Sequence, residues 1–147
     1  MSQWTLSLVA GAAISLVSIS SVLASEPAKV LVKLSDGSNG HMSLTLSPST
    51  IPPGPVEFTV KNESRSTVHE FMFALRANPD AALPYDAKTQ QVEEDAIKGL
   101  QGIEDLRPRE TVTAEFTLAK GRYIVFCNEP GHYRGGMRTE FVVGAGQ

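Results

Sequence analysis

The chain reads as an all-β Greek-key sandwich of about seven or eight strands with one short helical insert. Three observations predict it. Short runs rich in Val, Ile, Thr and Phe recur along the sequence, several alternate apolar with polar residues, and turns containing Gly, Pro, Asn or Asp separate them.

Residues 1–24 precede the first strand. They carry no charged side chain, hold an apolar run through Ile14, Leu16, Val17 and Ile19, and end in Val22-Leu23-Ala24. That small-residue ending suits cleavage before Ser25, so the expectation is a signal peptide, a periplasmic or otherwise exported protein, and one domain over residues 25–147. Left uncleaved, the same run would be a membrane anchor. No cysteine lies near the cleavage point, which excludes lipid attachment there.

Lys29–Leu34 is the first strand, Ser35–Gly40 the turn after it, and Met42–Leu46 the second strand. Pro52-Pro53-Gly54-Pro55 turns into Val56–Val60, whose strict alternation marks a strand with one buried face. Residues 67–75 form the next strand. Between Arg76 and Arg109 the pattern changes. Asp86 suits the cap of a short helix over Ala87–Lys98, with Val92, Ala96 and Ile97 on one side, Glu93, Glu94 and Asp95 exposed, and Gly99 ending it. Strand character resumes at Thr111–Leu118. Ala119-Lys120-Gly121 then turns into Arg122–Phe126, and Thr139–Val143 closes the set.

The chemistry lies between those last two strands. Cys127, His132 and Met137 stand at Cys-x4-His-x4-Met spacing, using the only cysteine and one of three histidines. A thiolate and an imidazole bind soft or borderline metals tightly, and a thioether adds a weak contact. With a second imidazole from elsewhere in the chain, the set suits a blue-copper site. Gly131, Gly135 and Gly136 let the loop bring three side chains onto one ion, and Pro130 stiffens it. In an oxidising compartment a single cysteine pairs between chains, stays reactive, or is protected by a ligand, and a buried metal thiolate is the last of these.

In these residues the chain resembles the cupredoxins, the superfamily of plastocyanin, azurin and rusticyanin, with the resemblance running from about Leu31 to Val143. The family's remaining ligand is a histidine on an earlier strand, and His69, in Thr67-Val68-His69-Glu70-Phe71, is the match. The resemblance therefore implies one mononuclear type 1 copper held by His69, Cys127, His132 and Met137, and one-electron transfer by Cu(I)/Cu(II) cycling. His132 would be the electron port and Met137 would tune the potential. Glu70 stands where relatives often carry Asn or Ser. His41 has no partner motif and is left outside the site.

The implied partners are protein electron donors and acceptors, with the chain itself a monomer and not an enzyme. Arg134 and Arg138 flank the loop, where they suit an acidic patch on a partner or are ordinary solvated charge. The net charge of −3 comes with no basic face interleaved with aromatics, which argues against nucleic acid. Capture and delivery of copper is the alternative function; the absence of a Met- and His-rich tail speaks for the carrier. An enzyme with Cys127 as nucleophile and His69 or His132 as base would leave Met137 without a role. Three histidines also cannot build a trinuclear cluster beside a type 1 site.

Overall fold

The computed structural model describes residues 25–36 and 41–144. The leader over residues 1–24 and positions 37–40 of the first predicted turn lie outside the described residues. In chain order the strands are β1 (Ala28–Ser35), β2 (Ser43–Ser47), β3 (Thr50–Ile51), β4 (Gly54–Asn62), β5 (His69–Leu75), β6 (Tyr85–Asp86), β7 (Gln91–Val92), β8 (Gln101–Leu106), β9 (Thr111–Leu118), β10 (Gly121–Phe126) and β11 (Arg138–Val143). Eight of them have five residues or more, in line with the expected number.

Two layers form, β2-β1-β4-β9 and β3-β11-β10-β5-β8, with β6 and β7 paired separately. The β1/β4 and β3/β11 pairs are parallel and the rest antiparallel. Alternation decides which side chains meet between the layers. Val56, Phe58 and Val60 of β4 and Val30, Val32 and Leu34 of β1 are buried, and they share one core with Phe71, Phe73, Tyr123, Val125, Phe141 and Val143 of the second layer. Phe58 is the hub, its ring centroid 4.9 Å from Phe71, 5.6 Å from Phe73, 6.0 Å from Phe116 and 5.6 Å from Phe141.

The predicted helix over residues 87–98 does not form. Asp86 accepts a hydrogen bond from the Lys88 N–H at 2.7 Å, making a local turn instead of a helix cap. Gln90 takes a positive φ of 60°, and the chain doubles back as the β6/β7 hairpin. The only helical residues in the segment are the single 3-10 turn Glu94–Ala96. Val92 and Ile97 are buried while Ala96 is exposed, a spacing of five that no helical face supplies. Strand β8 was not predicted. Of its six residues only Leu106 is fully buried, because β8 is an edge strand whose charged Glu104 and Asp105 face away from the core.

The excursion between β5 and β8 lies across the outer face of the second layer. Leu83, Val92 and Ile97 form a second apolar cluster there with Met72, Ala74, Ile124, Phe126 and Tyr133. Strand β10 is therefore covered on both faces, and Tyr123, Ile124, Val125 and Phe126 are buried in succession. Among the described residues no helix is long and apolar enough to cross a membrane.

Candidate metal centre

The two inner strands β5 and β10 are antiparallel neighbours, with Met72 opposite Phe126. His69 begins β5 and Cys127 follows β10, so both lie at the same end of the second layer. The β5/β8 register slips between His69 and Phe71, a local irregularity of the kind that re-aims a side chain at a sheet end. His69 and Cys127 are each 0% exposed, Met137 likewise, and His132 shows only 7% of its surface.

Three donor atoms converge. The Cys127 Sγ stands 3.3 Å from His132 Nδ1 and 3.8 Å from His69 Nδ1, and the two Nδ1 atoms are 3.2 Å apart. Met137 is brought to the same place by the backbone. Cys127 donates its N–H to the Met137 carbonyl at 3.0 Å, and Met137 donates to the His132 carbonyl at 3.1 Å. Gly131 and Gly136, at φ 83° and 102°, supply the left-handed turns this closure requires. The fold gathers the cysteine and both histidines that the sequence singled out. His41 is exposed and stands outside the cluster.

Other residues of the site had no signal in the sequence. The Nε2 of His69 meets Ser64 Oγ at 2.8 Å and Asp36 Oδ1 at 3.0 Å. Ser64 Oγ and Thr67 Oγ1 also donate to the two Asp36 oxygens, at 2.8 and 3.0 Å. With the carboxylate as acceptor, Nε2 carries the His69 proton, and the lone pair of Nδ1 is left facing Cys127 and His132. Burial works to raise the Asp36 carboxyl, but the hydrogen bonds from Ser64, Thr67 and His69 outweigh it and hold the group below its ordinary value. Asn62, fully buried, holds the loop that presents Ser64: its Nδ2 donates to the Thr67 and Leu106 carbonyls, and its Oδ1 accepts from the Ser64 N–H. Asn62-Glu63-Ser64 reads as a glycosylation triplet, yet that amide is occupied inside the protein.

Asn128 does the same for the other ligand segment. Its side chain accepts from the Val92 N–H at 2.6 Å and donates to the Val92 carbonyl at 3.1 Å and to Glu94 at 2.7 Å. The excursion is thereby fastened to the residue beside Cys127.

Burial depresses both imidazoles, with His69 further opposing a charge on His132. It also pushes the Cys127 thiol up to about 12. The N–H of Glu70, 3.2 Å from the sulfur, works the other way. Because a backbone N–H ties the two ligand segments together, that tie does not depend on which side chain follows His69. The thiol's protonation and complete burial make it unfit as a nucleophile. A cation among these atoms would reverse the balance, since it stabilises a thiolate that burial alone opposes. One soft sulfur and two imidazole nitrogens within 4.8 Å of one another are a donor set that fits copper.

The Glu70 side chain points into an acidic surrounding. Burial, and then Glu129, Glu94, Glu104 and Asp105, push its carboxyl up to about 7, and Oε2 is buried without a hydrogen-bond partner. At low pH both folded and unfolded chains hold this proton. As pH rises, the unfolded chain ionises first, so stability is lost between the ordinary carboxyl range and about pH 7, by at most about 3 kcal/mol. Glu70→Gln in the metal-free protein is expected to match the wild type near about pH 3.5 and to be more stable than it at about pH 8. Urea unfolding at the two pH values checks this.

The two layers, with this site at one end, have the cupredoxin fold, the fold of blue copper proteins. Auracyanin from the photosynthetic bacterium Roseiflexus castenholzii, solved in the dithionite-reduced form, shares it with a TM-score of 0.51 and 24% identity over 78% of this chain and 97% of its own. Rusticyanin from Thiobacillus ferrooxidans does so with a TM-score of 0.56 and 20% identity over 80% of this chain and 79% of its own. Auracyanin A, described as a blue copper protein from Chloroflexus aurantiacus, gives 0.50 and 22% over 78% and 98%. No protein-family model matches the chain, and no curated protein matches it by sequence.

Proposed function

We propose that the chain is an exported type 1 copper protein that carries single electrons, with His69, Cys127, His132 and Met137 as ligands. The observation that carries this reading is the convergence of Cys127 Sγ on the Nδ1 atoms of two buried histidines. Copper held there supplies a one-electron couple between Cu(I) and Cu(II).

The protein's part is to keep the donors where both oxidation states accept them. His69 is fixed through Asp36 and Ser64, Cys127 through the Glu70 N–H and the Met137 carbonyl, and Asn128 braces the segment between. Small rearrangement between states means a low barrier to electron transfer. His132, at 7% exposure, is the least buried of the four donors, and Pro130, Gly135 and Gly136, close to it in sequence, are exposed, which would let a redox partner approach. Burial of the other donors favours a carrier over a protein that must surrender its ion. Residues 1–24 would be the export signal, and residues 25–147 the mature domain.

Titration of the purified protein with Cu(II), followed by visible absorption, tests the assignment. An intense thiolate-to-copper band reaching its plateau at one copper per chain, and bleached reversibly by reductant, is the expected result. Tight Cu(I) binding with no such band would favour copper delivery, and no binding of either oxidation state would overturn the assignment.

The carboxylate behind His69 has its own expected effect. Asp36→Ala removes the acceptor that fixes the ring, and losing such a partner lowers metal affinity by about 10–100-fold. Competition against a chromophoric Cu(I) chelator reads that loss directly.

A further inference from the structure

A cavity of about 400 Å³ opens beside the metal loop, between the excursion and the outer face of the second layer. Leu83 and Ile124 form part of its wall, and Tyr85, Tyr133, Arg134 and Arg138 give it its chemistry. The Tyr85 and Tyr133 rings lie 6.2 Å apart and 31° from parallel. The Arg134 guanidinium sits 4.0 Å above the Tyr85 ring, and that of Arg138 lies 4.9 Å from the Tyr133 ring. Among the described residues neither arginine has a carboxylate partner.

Asp80 and Glu140 also face this space, but their charges are already engaged. Arg122 pairs with Glu140 through two nitrogens and reaches Asp80 at 3.5 Å. The remaining uncompensated charge in the cavity is that of Arg134 and Arg138. Guanidinium planes over aromatic rings present flat, positively charged surfaces that suit bidentate anions and planar ring systems. The volume falls within the usual range of about 300–1,000 Å³ for small-molecule sites. An acidic side chain reaching in from a protein surface would fill only a fraction of it.

The geometry points to a binding site for a planar aromatic anion, a ring system bearing a carboxylate or sulfonate, whose ring lies against Tyr85 and Tyr133 and whose acid group meets Arg134 and Arg138. Its position is distinct from the metal site and yet joined to it. Tyr133 follows His132 in sequence, and its ring stands edge-on, 5.8 Å away, to that of Phe126, the neighbour of Cys127. The Tyr133 hydroxyl accepts from the Leu83 N–H at 3.3 Å, so the same residue also anchors the excursion that forms the far wall. This inference does not depend on copper.

Calorimetric titration of the full chain with 2-naphthoate tests it, with amide chemical shifts of Tyr85, Tyr133, Arg134 and Arg138 as the map of the site. The expected result is saturable binding of one ligand per chain, weakened at least about tenfold in Arg134→Ala/Arg138→Ala. Acetate and 2-naphthalenemethanol, each lacking one half of the recognised group, are expected to bind at least about tenfold more weakly than 2-naphthoate. Both arginines are exposed, so the double variant should keep its circular dichroism; should it unfold, Arg134→Lys and Tyr85→Leu are to be measured in its place, with weakened binding expected in both. The proposal is overturned if 2-naphthoate does not saturate, or if its binding is unchanged in these variants. It is also overturned if an Asp- and Glu-rich peptide binds the same residues more tightly, because the cavity would then be part of a protein-docking surface.

Discussion

Cys127→Ser is expected to abolish the intense visible absorption of the copper-loaded protein while leaving the metal-free fold in place. The band needs a sulfur donor, and Cys127 is the only cysteine in the chain. A serine hydroxyl is a hard, weakly acidic donor with poor affinity for copper in either state. The fold should tolerate the exchange because the substituted atom sits at a sheet end, where the Glu70 N–H can donate to the new oxygen as it does to the sulfur. The loss of stability in the metal-free variant should therefore stay within about 1–2 kcal/mol, measured by urea unfolding. An unchanged band in Cys127→Ser would remove the cysteine from the site and the assignment with it.

The largest loss of stability is expected from Phe58→Ala, at about 3–5 kcal/mol. Phe58 is 1% exposed and touches rings from both layers. Truncation removes the burial of a whole ring and leaves a void among Phe71, Phe73, Phe116 and Phe141. A sandwich held by one central aromatic cluster cannot close that space without shifting a sheet. Chemical unfolding of the metal-free protein reads the difference, and a loss below about 1 kcal/mol would mean that the rings repack.

The strands that the sequence made legible are those with one buried face or two. Thr111–Leu118 and the ligand strand were readable because alternation or a continuous β-branched and aromatic run reflects burial directly. Strand β8 was not, since an edge strand with a single fully buried residue leaves almost no apolar trace. The helix expected over residues 87–98 failed for a related reason: Asp86 can cap a helix or close a turn, and the choice was made by the contacts of Val92 and Ile97 with the sheet. Cys127, His132 and Met137 could be picked out together because they lie within eleven consecutive residues, and His69 through the resemblance to a family pattern. Asp36 and Asn128 were hidden because each acts across a long stretch of chain, and Asn62 and Ser64, though close to His69 in sequence, because they read as ordinary polar loop residues.

The double coverage of β10 bears on how the site would open. Cys127 extends from a strand sealed on both faces, and His69 starts the strand beside it, so freeing either requires the layers to part. The segment from Gly131 to Gly136 presents four exposed or half-exposed glycine and arginine positions, and it is tied to the excursion and the sheet by Tyr133 and by the Gly131 N–H bond to the Gln90 carbonyl. Amide hydrogen exchange should therefore divide the site in two, with β5 and β10 exchanging only through global unfolding and the loop through far cheaper local openings. Of the four proposed ligands, His69, Cys127 and Met137 are fully buried and would stay with the core, and His132 alone would move with the loop, so the loop's opening rate is expected to limit how fast an ion enters or leaves.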